Sequence, residues 1–257
     1  MSDNKSPTDQ FWNDRPLTEI DPVKVNIADD VQRQLETDFI LQHLRPGSRV
    51  LEVGCGNGHL TAIIRERVAF VDAFDYAENM IAQAVRLHAQ TNNRFFHDSV
   101  LKPSFVQPPY DTVVCVRVLI NLRNLDEQLR AFQNMTRLLK PGGELILVEG
   151  FTEGFDQLNA VRQAAGLDPL RPAAINFYSP LADWRVIFSK DFDVVATFNT
   201  GCFDFLTRVV YPALVGVDRA TGPAEFHGKT LPIARTFNPA ALAPLARVHG
   251  FVLRPKR

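Results

Sequence analysis

Residues 49–60 read Arg-Val-Leu-Glu-Val-Gly-Cys-Gly-Asn-Gly-His-Leu. The apolar residues Val50, Leu51 and Val53 run into glycines at alternate positions, Gly54, Gly56 and Gly58, and a helical pattern follows at once. A buried strand entering such a turn brings its backbone N–H groups close to whatever lies beyond its carboxyl end. Glycine suits these positions because a Cβ would obstruct both the turn and the close approach. In open α/β sheets this is where nucleotide-like ligands bind.

Working outward, Phe70-Val71-Asp72-Ala73-Phe74-Asp75 reads as a second strand ending in an acid. It lies roughly twenty residues beyond the glycines, the separation at which a strand-tip carboxylate meets a ribose. There Asp75 can accept both ribose hydroxyls through charge-assisted bonds. NAD enzymes use the same device, so Asp75 indicates an adenosine without choosing the cofactor. The glycine spacing narrows the choice. A dinucleotide fingerprint reads G-x-G-x-x-G, whereas this chain has G-x-G-x-G preceded by Glu52.

The segment Glu52-Val53-Gly54-Cys55-Gly56-Asn57-Gly58 resembles motif I of the class I S-adenosylmethionine-dependent methyltransferases. Further segments carry the resemblance in order. Tyr76-Ala77-Glu78-Asn79-Met80 follows the acid of strand two, and Phe95-Phe96-His97-Asp98-Ser99 is similar to the third family segment. Tyr110–Val116 forms a fourth strand, and Leu139-Lys140-Pro141-Gly142-Gly143 precedes a fifth at residues 144–149. The similarity covers about residues 30–150. It implies S-adenosyl-L-methionine as cofactor and S-adenosyl-L-homocysteine as product. It also implies that Glu52, Gly54, Cys55, Gly56, Asn57, Gly58, Asp75, Tyr76, Met80, Asp98, Ser99, Val116 and Arg117 surround the cofactor. Within that set the family pattern gives Asp75 the ribose, Met80 the apolar side of the adenine and Asp98 the adenine amino group. The implied fold is α/β: a doubly wound, seven-stranded, mostly parallel sheet with its last strand antiparallel, plus a helical cap over the strand ends.

The organisation expected from the pattern has three parts. Residues 1–46 form an N-terminal arm and a cap helix that starts at Asp29 and carries Val31, Leu35 and Phe39. Residues 47–150 form the cofactor-binding core, and residues 151–257 complete the sheet. A helix starts after Asn124, with Glu127 as its capping-box partner. Further helices are expected at 155–166, 180–189, 203–211 and near 239–248, and strands at 191–198 and 250–254. Residues 200–249 are thus an insertion between the last two strands, and acceptor choice is expected from such additions over the strand ends.

Composition limits the function. The chain has 257 residues, 46% of them hydrophobic, and a net charge of −1 with basic and acidic residues intermixed. That balance argues against a groove that tracks nucleic-acid phosphates. The three cysteines are scattered, with neither pairing nor metal-ligand spacing, so a reducing cytoplasm is expected and no metal is. No run has the length of a membrane span and the N-terminus has no apolar export core, so no membrane partner is expected. The oligomeric state is left open.

Methyl transfer from a sulfonium is an in-line displacement with a neutral leaving group, so the protein's main task is positioning. A hydroxyl acceptor gains from a base within hydrogen-bond reach. The catalytic candidates are Asn121 after strand four, Glu149 at the end of strand five, Tyr178, and His227 in an expected loop. His227, Tyr178 and Arg208 each have a packing or pairing alternative; Arg208, four residues after Asp204, can form an intrahelical ion pair. Strand four is followed by Arg117-Val118-Leu119 rather than an Asn-Pro-Pro-Tyr-type tetrad. The expected activity is methylation of an O or N atom of a small polar metabolite or saccharide-type acceptor. The alternatives are an RNA or protein methyltransferase and a catalytically silent S-adenosylmethionine-binding regulator.

Overall fold

Strand β1 (Arg49–Val53) lies between two parallel neighbours, β2 (Phe70–Asp75) and β4 (Tyr110–Val116). The computed structural model describes residues 6–104, 107–220 and 225–256. With β3 (Asn93–His97), β5 (Leu139–Gly150), β6 (Phe192–Asn199) and β7 (Val248–Pro255), the sheet has seven strands in the order β3-β2-β1-β4-β5-β7-β6. Only β7 runs antiparallel to its neighbours, pairing Ile146 with Val252 and Phe198 with Gly250. This is the expected doubly wound architecture.

Near-continuous apolar strands mark a sheet covered on both faces, and alternate residues feed two cores. Leu51, Val53, Phe74, Val113, Cys115 and Leu147 point to one side. There they meet Phe132 and Met135 of α5 (Leu125–Arg137) and Trp184 and Phe188 of α7 (Leu181–Asp191). Val50, Val71, Ala73, Val114, Ile146 and Val148 point to the other side, against Phe39 and Ile40 of α2 (Asp30–His43) and Ile64 of α3 (His59–Ile64). Helix α4 (Glu78–His88) follows β2, and α6 (Thr152–Ala164) follows β5.

The additions differ in detail from the expectation. The arm contains a helix, α1 (Pro7–Thr18), started by a capping box in which Ser6 and Asp9 exchange side-chain and backbone bonds. Its residues 1–5 fall outside the described part. The helix expected over 203–211 runs from α8 (Gly201–Phe205) through a π turn at Leu206–Val210 into α9 (Tyr211–Val215). No helix covers 239–248: a 3₁₀ turn spans Ala240–Leu245, because Pro239 and Pro244 limit helical hydrogen bonding, and β7 already begins at Val248. Instead α10 (Glu225–Thr236) is helical where a loop was expected, so His227 sits on a helix. Asn124 does cap α5, but Glu127 accepts from Arg123 N–H rather than closing the box on Asn124.

Trp184 is fully buried, donates from Nε1 to Ser179 Oγ at 2.7 Å and meets the Phe132 ring edge-on at 5.3 Å. Trp184→Ala should cost about 3–5 kcal/mol, read as a shifted urea-unfolding midpoint; a loss below about 1 kcal/mol would show that α7 does not depend on this packing.

Candidate functional site

The turn after β1 is built on left-handed backbone. Gly54, Gly56 and Gly58 have φ of 66°, 53° and 79°, values that glycine adopts without steric penalty. Close approach adds to this at Gly56, where a Cβ would lie 2.2 Å from Asn26 Oδ1. The turn is tied to the next strand at two points. Cys55 N–H donates to Phe74 C=O at 2.9 Å, and Gly56 N–H donates to Asp75 Oδ2 at 2.9 Å. Asp75 Oδ1 accepts from Ala77 N–H at 2.9 Å. Burial pushes the Asp75 carboxyl upward, against those amide bonds. Glu52, almost fully buried, accepts from Thr61 Oγ1 at 2.5 Å and is raised by burial to about 8. Burial also raises the Cys55 thiol, which leaves it protonated.

The remaining residues expected at the cofactor stand at the ends of β2, β3 and β4 and on α4. Met80 is buried with Ala77, Val25 and Trp12, so it carries part of the arm on α4. Tyr76 OH donates to Thr8 C=O at 3.2 Å. Asp98 accepts from Ser99 N–H and from Ser104 N–H, both at 2.8 Å, which shapes the loop after β3. Val116 closes β4 opposite Val148, and Arg117 follows it at φ 55°, the one non-glycine residue with positive φ among those described.

The N-terminal arm lies across these elements. Asn57 Nδ2 donates to Pro22 C=O at 2.7 Å, Asn79 Nδ2 to Asn13 C=O at 2.9 Å and Gln83 Nε2 to Pro16 C=O at 3.3 Å. Trp12 Nε1 donates to Asn121 Oδ1 at 2.8 Å, and Asn121 Nδ2 donates to Arg117 C=O at 2.6 Å. Asn121 thus joins α1 to the loop after β4. Asn26 is a site residue that the sequence reading missed; lone polar residues in an arm carry no periodic signal.

Beyond that loop, a small cavity of about 30 Å³ opens between the ends of β4 and β5 and the start of β7. Ile120, Phe155, Tyr178 and Val248 supply apolar wall, with Gly150 beneath the Tyr178 ring. Gln32, Arg117 and Arg247 supply its polar groups. Arg117 pairs with buried Glu36, and Arg247 with buried Asp204 at 2.8 Å. Gln32 joins the two pairs, accepting from Arg247 at 3.3 Å and donating to Glu36 at 3.1 Å. Glu149 lies behind this wall with Oε2 on Leu119 N–H at 2.7 Å and Oε1 on Gly150 N–H at 2.9 Å. Burial raises it to about 7 despite those two bonds. Tyr178, a catalytic candidate of the sequence, lines this cavity. Gln32, Glu36 and Arg247 were missed, although Gln32 and Glu36 form an i,i+4 polar stripe beside the apolar residues of α2.

His227 is buried on α10, its Nδ1 3.1 Å from Asp29 Oδ2 and its Nε2 without a hydrogen-bond partner among the described residues. Arg208 pairs with the same Asp29 oxygen at 2.8 Å, rather than forming the intrahelical pair with Asp204. Burial opposes ionisation of Asp29, but the His227 bond, Arg208 and the Gln32 amide together hold it at about 2. Asp29 is also the N-cap of α2, one turn before Gln32 of the cavity wall. His227 does not line that cavity. Among the described residues no three His, Cys, Asp or Glu side chains gather as metal ligands, and no helix is long and apolar enough to cross a membrane.

Residues 50–143 match the family model of a methyltransferase domain. Over 126 residues the chain is 32% identical to a ubiquinone/menaquinone biosynthesis C-methyltransferase, UbiE, of Methylococcus capsulatus; the aligned part is 46% of this chain and 49% of that protein. A demethylmenaquinone methyltransferase of Bacillus cereus is 28% identical over 128 residues, 45% of this chain and 53% of that protein. The chain therefore spans about half the length of the curated relatives it matches. Among solved structures, the N-methyltransferase NodS of Bradyrhizobium japonicum, in complex with S-adenosylhomocysteine, superposes with a TM-score of 0.61 at 16% identity, over 98% of this chain and all of that one. At that identity the likeness establishes the fold: the Rossmann-like methyltransferase sheet, flanked by helices and closed by an antiparallel last strand.

Glu52 and Glu149 hold their protons to higher pH in the native state than in the unfolded chain, where carboxyls of this type titrate near 4.5. The native state therefore binds more protons between pH 4.5 and about 8, and stability falls as pH rises through that window. Glu52→Gln should flatten this fall, measured by urea unfolding at stepped pH; an unchanged slope would show that Glu52 ionises normally.

Proposed function

We propose that this chain is an S-adenosylmethionine-dependent methyltransferase acting on a small-molecule acceptor. The observation that carries the reading is the meeting of the left-handed glycine turn with the buried Asp75 carboxylate at the ends of β1 and β2. The residues present fit the cofactor. The glycine turn presents its backbone amides, with Val118 packed on Gly54 and Asn26 of the arm on Gly56, and Asp75 is a buried acceptor suited to a ribose diol. Asn57 Oδ1 is buried beside them without a hydrogen-bond partner among the described residues. Met80, Asp98, Ser99 and the arm would complete the enclosure. When bound, the cofactor supplies an electrophilic methyl group on a sulfonium whose departure leaves a neutral thioether.

The chain's own contribution is enclosure and alignment. Well-oriented reactants gain on the order of 7–11 kcal/mol from proximity alone. Helix α1 excludes water from the strand ends, and Asn121 holds α1 to the loop that carries Arg117. Glu149 serves as a positioning residue, because both its oxygens are occupied by amides of that loop and of β5. Tyr178 faces the acceptor side. His227, buried away from the cavity wall with its Nδ1 on Asp29, joins α10 to the start of α2.

The finer reading is transfer to an O or N atom of a small polar metabolite or saccharide-type acceptor, in a reducing cytoplasm consistent with three free buried cysteines. A second reading, transfer to carbon, is favoured by the match to a protein named as a C-methyltransferase. Incubating the chain with methyl-labelled S-adenosylmethionine and fractionated bacterial extract should place label in small, nuclease- and protease-resistant product. Label in protein or RNA would overturn the small-molecule acceptor, and no label would leave a binding protein. Asp75→Ala should weaken S-adenosylhomocysteine binding by about 1.5–3 kcal/mol, the range for a hydrogen bond to a charged group; unchanged affinity would remove Asp75 from the ribose role.

A further inference from the structure

We propose that the cavity between the ends of β4 and β5 and the start of β7 receives an anionic oxygen of the acceptor, bound by the guanidinium groups of Arg117 and Arg247. The inference deepens the methyltransferase reading and relies on it for the reaction that follows binding.

Both charged side chains in the cavity wall are cations. Their counter-charges stand elsewhere: Glu36 and Asp204 are buried and do not line the space. Each carboxylate fixes one part of a guanidinium, and a guanidinium carries more N–H donors than one carboxylate uses. Arg117 has one terminal nitrogen on Glu36 and still leaves 26% of its side chain accessible. Arg117 also adopts the left-handed backbone region, a conformation that side chains other than glycine hold only where the surroundings impose it and that concentrates at functional sites.

The remaining wall fits the same kind of guest. Tyr178 OH accepts from Asn176 Nδ2 at 3.2 Å, which leaves its own proton for another acceptor. Arg247 lies over the Phe155 ring at 5.7 Å, and Gln32 locks it from the side. The space of about 30 Å³ holds little more than a water-sized group. It therefore takes the charged head of an acceptor, a carboxylate or a phenolate, while the body stays outside. Two fixed guanidiniums favour such an oxygen by charge-assisted bonds and disfavour an uncharged isostere, which would leave donors unmet.

The test is calorimetric titration of the full chain, with and without saturating S-adenosylhomocysteine, using benzoate against benzamide and 4-nitrophenolate against nitrobenzene. At least one anion should bind about tenfold or more tightly than its uncharged counterpart, and which pair shows the preference identifies carboxylate or phenolate. The preference should vanish in Arg247→Gln combined with Asp204→Asn, a pairing that avoids leaving a buried carboxylate alone. Arg247→Lys keeps the charge and should retain part of the preference if the double variant does not fold. Equal affinities within both pairs, binding by neither pair, or a preference untouched in a folded double variant would overturn the proposal. Failure of S-adenosylhomocysteine to bind would instead count against the methyltransferase reading, because the anion preference is read independently of it.

Discussion

The hydrogen bond from Gly56 N–H to the Asp75 carboxylate is the constraint on which the site is built. It joins the end of β1 to the end of β2 where their ladder stops, at Val53 opposite Phe74. The same carboxylate accepts from Ala77, the N-cap of α4, so one side chain sets the glycine turn and the entry of the following helix. Placing a carboxylate in this dry corner is unfavourable, and the amide bonds offset part of the cost. The glycines are required because the backbone must turn left-handed while leaving room for a close neighbour, and Asn26 fills that role at Gly56.

Above this corner the cap combines the apolar cluster of Val31, Leu35 and Phe203 with buried polar pairs. Asp29 with Arg208 and His227 joins α2 to the insertion, Glu36 with Arg117 joins α2 to the loop after β4, and Asp204 with Arg247 joins α8 to the start of β7. Buried pairs of this kind add little net stability against apolar packing, but removing one partner typically costs about 3–5 kcal/mol. Their effect here is positional. They place two guanidiniums and a glutamine around one small space at the strand ends, where ligands bind in open α/β sheets.

The core was legible because its signals are local and periodic. Strand β1, its glycine turn and Asp75 lie within about thirty residues of one another in a βαβ unit, and their types follow from burial and turn geometry. The order of the last two strands was also readable, as apolar segments flanking the long insertion. The cap was not. Its prolines at 232, 239 and 244 obscure which segment is helical, so α10 read as a loop and a 3₁₀ turn read as a helix. Arg208 took its partner from a residue 179 positions away rather than from its own helix. Glu149 was legible as a strand-end acid, but sequence could not show that both its oxygens are spent on backbone amides.

The core and the cap together support one proposal: the glycine turn and Asp75 would hold an adenosine-bearing methyl donor at the ends of β1 and β2. The most direct measurement is a crystal structure of the chain grown with S-adenosylhomocysteine. The account predicts electron density with both ribose hydroxyls on the Asp75 carboxylate and the sulfur facing Asn121. Density for that ligand at any other place, or a chain that crystallises from saturating ligand without it, would contradict the account.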